Sequence, residues 1–150
     1  MFSFFGGNKD IAQNSKKVKQ WHNEHQAIVK SAVEILNAYE YNDIKKVKKI
    51  LKKLNIDATN HLMDEDNTFM DIMEKAKEQE SDQKIVQQII EFRKSFRNTK
   101  MVLFQFFAKY SNPQATFDDN FKNEFTGIVD ALGARIGFEE DNLYVLLNNK

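Results

Sequence analysis

The chain has 150 residues and no cysteine, which excludes disulfides, iron–sulfur clusters, cysteine-ligated zinc and thiol nucleophiles. One proline and five glycines are too few turn-formers for a many-stranded β fold. Lys+Arg and Asp+Glu both number 22, so no excess of either sign calls for nucleic acid or an anionic membrane as partner. No apolar run approaches the ~20 residues that cross a bilayer. The opening Met-Phe-Ser-Phe-Phe-Gly-Gly is apolar but lacks a basic region, a long hydrophobic region and a cleavage site. It reads as an arm whose phenylalanines pack on the domain, with contact to a membrane or a protein partner as the alternative, and the default location is the cytoplasm. Histidine is also scarce: His22, His25 and His61 are all there is.

What is present is helical periodicity. Turn-like breaks fall at Gly6-Gly7-Asn8, at Tyr41-Asn42-Asp43, where Asn42 or Asp43 can cap the next helix, at Glu80-Ser81-Asp82, and from Ser111-Asn112-Pro113 to Asp118-Asp119. Between them apolar residues recur at steps of three and four, the mark of a helix with one buried stripe. The four stripes begin Val18, Trp21, His25; Ile44, Val47, Leu51; Ile85, Ile89, Phe92; and Phe121, Phe125, Ile128. The last continues through Leu132, Arg135 and Glu139 to Asn142 or Leu143, then Leu146. The expected fold is all-α: an antiparallel up-down four-helix bundle over residues 15–150, behind an N-terminal arm over residues 1–14. The lysine run Lys45 to Lys53 keeps its apolar stripe and reads as the solvated face of the second helix. Gly127, Gly133 and Gly137 suggest close helix approach near Arg135.

The exceptions within the stripes carry the chemistry. His25, His61, Glu65, Thr99, Arg135 and Glu139 stand where Leu or Ile is expected. Burying such groups costs several kcal/mol unless they are paired or bound to a metal. His61 with Glu65, and Arg135 with Glu139, are spaced i, i+4 and share a helix face. The segments starting at His61 and Arg135 also resemble each other at an offset of 74 residues, which carries His25 onto Thr99. The chain therefore reads as two pseudo-repeated helical hairpins, one presenting His, His and Glu, the other Thr, Arg and Glu.

With Trp21-His-Asn-Glu-His25, His61-x-x-x-Glu65-Asp and the degenerate Arg135-x-x-x-Glu139-Glu, residues 15 to 148 resemble the hemerythrin-like, or HHE cation-binding, family. The resemblance implies the family's non-heme di-iron centre inside the bundle, with histidines capping each iron and two carboxylates bridging them, and a role in binding or sensing dioxygen, nitric oxide or iron. By position, His25, His61 and Glu65 correspond to ligands of one iron and Glu139 to the second bridging carboxylate. The second iron's histidines are replaced by Thr99, Arg135 and the Phe92-x-x-x-Phe96 spacing. Arginine stays protonated and is no ordinary metal ligand, so Arg135 is expected to stand in for the second cation or to donate a hydrogen bond to a bound ligand. The implied cofactor is one iron ion, with manganese, zinc or no metal as alternatives. The implied role is small-ligand handling rather than turnover. The competing reading is a metal-free interaction module whose function lies on its surface.

Overall fold

The computed structural model describes residues 8–76 and 83–147, with side chains from residue 15 onward. Residues 1–7 of the expected arm and the break at Glu80-Ser81-Asp82 lie outside these. All regular structure among the described residues is helical: α1 (Asn8–Glu40), α2 (Ile44–Ala76), α3 (Gln83–Ser95), α4 (Thr99–Ser111) and α5 (Asp119–Phe138). A π-helical turn, Glu139–Leu143, then leads into a short α6 (Tyr144–Leu147). No helix among the described residues is long and apolar enough to cross a membrane.

Local chemistry explains the boundaries. The turn after α1 places Asn42 at φ 56°, a left-handed conformation that asparagine tolerates. The Asn42 and Asp43 amides donate back to the carbonyls of Tyr39 and Ala38, satisfying the helix C-terminus as a Schellman motif. Asp43 then caps α2 by accepting from the Lys46 amide at 3.2 Å. α4 stops before Asn112, whose extended backbone (ψ 130°) is what a following proline requires. Asp118 caps α5 by accepting from the amides of Asn120 and Phe121.

The third stripe departs from expectation. It is not one helix, because a turn over residues 96–98 separates α3 from α4, although the apolar spacing runs straight through it. Thr99 is the first residue of α4 and only half-buried. The glycine reading fails too: a Cβ added at Gly127, Gly133 or Gly137 would meet nothing within 4 Å, so no neighbouring helix needs these glycines. Phe104 of α4 is 39% exposed.

The interior is layered along the helices. One apolar cluster contains Ile28, Ile35, Leu54, Leu62, Leu103, Phe121 and Phe125. The other contains Trp21, Phe69, Ile89, Phe92, Leu143 and Tyr144. On α1, α2 and α5 the buried polar residues His25, Glu65, Arg135 and Glu139 fall between the stretches that feed these two clusters, and His61 lies at the edge of the first, beside Leu62. The polar layer is thus sealed by apolar packing at both ends, and the lysine-rich face of α2 points outward.

Candidate metal centre

Three helices build the polar layer: α1 supplies His25, α2 supplies His61 and Glu65, and α5 with its π-helical extension supplies Arg135 and Glu139. All five are at most 4% exposed. His25, His61, Glu65 and Glu139 each offer one ligand atom, and these atoms lie within 4.8 Å of one another. The structure therefore brings together every site residue expected from the sequence. His22 instead is exposed on α1 and reaches Glu140 at 3.1 Å.

The two imidazoles are aimed by carboxylates behind them. Nδ1 of His61 lies 2.6 Å from Glu24 and Nδ1 of His25 lies 2.8 Å from Glu140. An ionised carboxylate only accepts, so both Nδ1 atoms must donate. This turns both Nε2 atoms inward, where they face each other at 3.0 Å. With neutral rings two lone pairs would meet there, so a proton or a metal cation has to sit between them. Carboxylates that orient histidine in this way are the usual outer layer of a metal site.

Each inward glutamate is shared between the histidines and the guanidinium. Glu139 Oε1 is 2.8 Å from His25 Nε2, while its Oε2 accepts from Arg135 Nε at 3.1 Å. Glu65 Oε2 is 3.3 Å from His61 Nε2, while its Oε1 is 3.5 Å from Arg135 Nη2. Arg135 also lies over the Phe92 ring, 4.7 Å from its centroid, a cation–π contact. The positions where the sequence departs from a two-metal pattern thus hold an organic cation seated on an aromatic face.

The π-helical turn explains a residue that sequence reasoning missed. Its extra residue places Tyr144, five positions after Glu139, on the same face, with the Tyr144 amide donating to the Glu139 carbonyl. The Tyr144 hydroxyl donates to Glu65 and lies 3.2 Å from both Glu139 Oε1 and His25 Nε2. The only sequence signal was the loss of register after Glu139, where Asn142 and Leu143 competed for the stripe. Past the turn it is Leu143, Tyr144 and Leu147 that are buried, and Leu146 is not. π-turns of this kind recur at functional sites.

The titration behaviour follows from the same contacts. Burial opposes charging His61, but hydrogen bonds to Glu139, Glu65 and Glu24 override it and push its pKa up to about 10. His25 is also raised: burial opposes the shift, and the hydrogen bonds to Glu139 and Glu140 outweigh it. Burial, reinforced by the charge of Glu139, raises Glu65 to about 7. Glu139 is held well below the usual carboxylate range, because His25, His61, Glu65 and Arg135 outweigh its burial. Burial and the two carboxylates keep the Tyr144 hydroxyl protonated. Such opposed shifts within one cluster mark functional-site candidates.

The donor set fits one first-row metal ion. Two imidazole nitrogens and two carboxylate oxygens converge from three helices, and the pairing of imidazole with carboxylate suits iron, manganese or zinc. It does not fit a second ion on the far side of the glutamates, where Arg135 and Phe92 stand. Comparison with known proteins agrees with this geometry: the hemerythrin HHE cation binding domain profile matches residues 16–147. No individual curated protein and no solved structure matches the chain. Fold, polar layer and profile match together place this chain in the hemerythrin HHE cation-binding domain family.

Proposed function

We propose that the protein is a single-metal variant of the family, holding one ion between His25, His61, Glu65 and Glu139 and using it to bind or sense dioxygen, nitric oxide or iron. Its architecture in this reading is an antiparallel up-down four-helix bundle of two pseudo-repeated hairpins, with α3 and α4 forming one leg. The order in which α1, α2 and α5 meet the two apolar clusters supports that arrangement. The observation that carries the functional reading is the pair of inward Nε2 atoms 3.0 Å apart, each ring fixed from behind by a carboxylate.

Iron held there would supply affinity for small diatomic ligands and one-electron chemistry. The chain's own residues do the rest. Glu24 and Glu140 fix the imidazole orientations. Arg135 neutralises the outer oxygens of Glu65 and Glu139 and provides N–H donors beside the centre. Tyr144 donates a hydrogen bond to Glu65 and steadies its carboxylate. The two apolar clusters exclude water. Protein loaded with iron should show a visible absorption band that shifts on adding azide or nitric oxide. A protein that stays colourless with iron at neutral pH contradicts the proposal.

One observation favours a second reading, a metal-free interaction module. With His61 protonated and Arg135 in place, two cations other than a metal face Glu65 and Glu139. The two readings differ in whether a proton or a metal ion lies between the imidazoles.

A further inference from the structure

Beside the metal centre, a cavity of about 650 Å³ opens between α2, α3 and the start of α4. Its volume is in the range of small-molecule sites. Its deep end is largely aromatic: Phe69 and Phe92 are buried and Phe96 half-buried, and the one cation that lines it there, buried Arg135, lies over the Phe92 ring and is already paired with Glu65 and Glu139. Its mouth carries exposed Met70 and Ile90, 49% and 43% accessible. Clustered apolar exposure of this kind marks a binding surface more often than chance, and methionine adapts its shape to a guest.

The mouth is also cationic. Arg93, Lys94, Arg97 and Lys100 line it against a single acid, Asp66, and Asp66 is paired with Lys100. Arg93 turns its guanidinium onto the sulfurs of Met70 and Met73, at 3.4 and 4.0 Å. Lys94 and Arg97 have no carboxylate partner among the described residues. The overall chain is neutral, so this local surplus of positive charge over an apolar slot is a property of the cavity.

We infer that this cavity is a binding site for a free amphipathic carboxylate. Its hydrocarbon body lies against Phe69, Phe92 and Phe96, and its carboxylate sits at the mouth between Arg93, Lys94 and Arg97. Guanidinium groups pair with carboxylates through forked, charge-assisted hydrogen bonds, and the aromatic floor takes an aliphatic or aryl chain without needing polar contacts. The cavity shares Arg135 with the polar layer, but none of His25, His61, Glu65 and Glu139 lines it, so its occupation is read in metal-free protein.

The test is calorimetric titration of the full chain, treated with chelator, against decanoate, octanoate, decanol and decyltrimethylammonium. One saturable decanoate site per chain is expected. Decanol and the ammonium should bind at least tenfold more weakly, and octanoate roughly tenfold more weakly for its two missing methylenes. The Arg93→Gln/Arg97→Gln protein should lose about tenfold in affinity, and so should Ile90→Asp, whose effect acts through the apolar wall. Thermal unfolding confirms that each variant is folded, and Lys45→Gln/Lys46→Gln on the far face should bind normally. Equal binding of decanol, unchanged binding in both cavity variants, or no saturable binding overturns the assignment. So does preferential binding to phosphatidylglycerol vesicles over the free acid. Metal content does not enter these readouts, so they stand or fall apart from the single-metal proposal.

Discussion

Replacing Arg135 with methionine removes the cation from the polar layer while conserving most of its volume. Arg135 is 4% exposed, and its two carboxylate partners, Glu65 and Glu139, are at most 1% exposed. Breaking one side of a buried ion pair costs about 3–5 kcal/mol, because the abandoned charge keeps its desolvation penalty. In a domain of this size each kcal/mol lowers Tm by about 2–4 °C. The expected drop for chelator-treated Arg135→Met is therefore roughly 6–20 °C near pH 8. Lowering the pH should shrink it, since Glu65, raised to about 7, can then take up a proton and neutralise itself. A divalent metal ion should recover more stability in the variant than in the parent chain, because it supplies the charge that the guanidinium gave. Thermal unfolding followed by circular dichroism at about pH 5 and about pH 8, with and without metal, reads all three effects. A loss under about 1 kcal/mol, or one that does not vary with pH, would refute the view that Arg135 is the counter-charge of the two glutamates.

Other consequences follow from the same contacts. Tyr144→Phe removes the donor to Glu65 and should cost about 1–3 kcal/mol in chemical denaturation. Gly133→Ala should stabilise by up to about 1 kcal/mol, because its Cβ enters open space; a destabilised variant would mean an unseen neighbour. His61 has its pKa raised from 6.5 to about 10. Its contribution in metal-free protein is therefore full below about pH 6.5 and lost as pH climbs through about 10. Metal affinity should rise across that same window as the proton leaves, and His61→Gln should abolish both trends. Asp64 runs the other way: burial would raise its carboxyl, but hydrogen bonds from Lys17 and Trp21 lower it. Its contribution is present above the ordinary carboxylate pKa and lost as pH falls through the depressed value. Asp64→Asn should accordingly flatten part of the acid limb of the stability curve.

Much of the site was legible because buried polar residues interrupt an otherwise apolar stripe. His25, His61, Glu65, Arg135 and Glu139 all announce themselves that way, and all five are buried. Glu24 and Glu140 do not, since each sits one position beside a stripe residue and stays about one-third exposed at the side chain. Their work is done by reach, which periodicity does not encode. Tyr144 was hidden by the π-turn, whose single added residue rotates the buried face of everything beyond Glu139. The break at residues 96–98 was hidden for the opposite reason: Phe92, Phe96 and Leu103 keep helical spacing across a turn that the backbone nevertheless makes. The glycines of α5 misled because flexibility and close approach give the same letter in a sequence.

The most direct test of the account is the metal content of untagged protein, purified without chelators and measured by inductively coupled plasma mass spectrometry against quantitative amino-acid analysis. One ion per chain is predicted in the parent, falling to none in His61→Ala. Two ions per chain would contradict the replacement of the second cation by Arg135, and a chain that takes up none even when iron is supplied would contradict the metal centre itself.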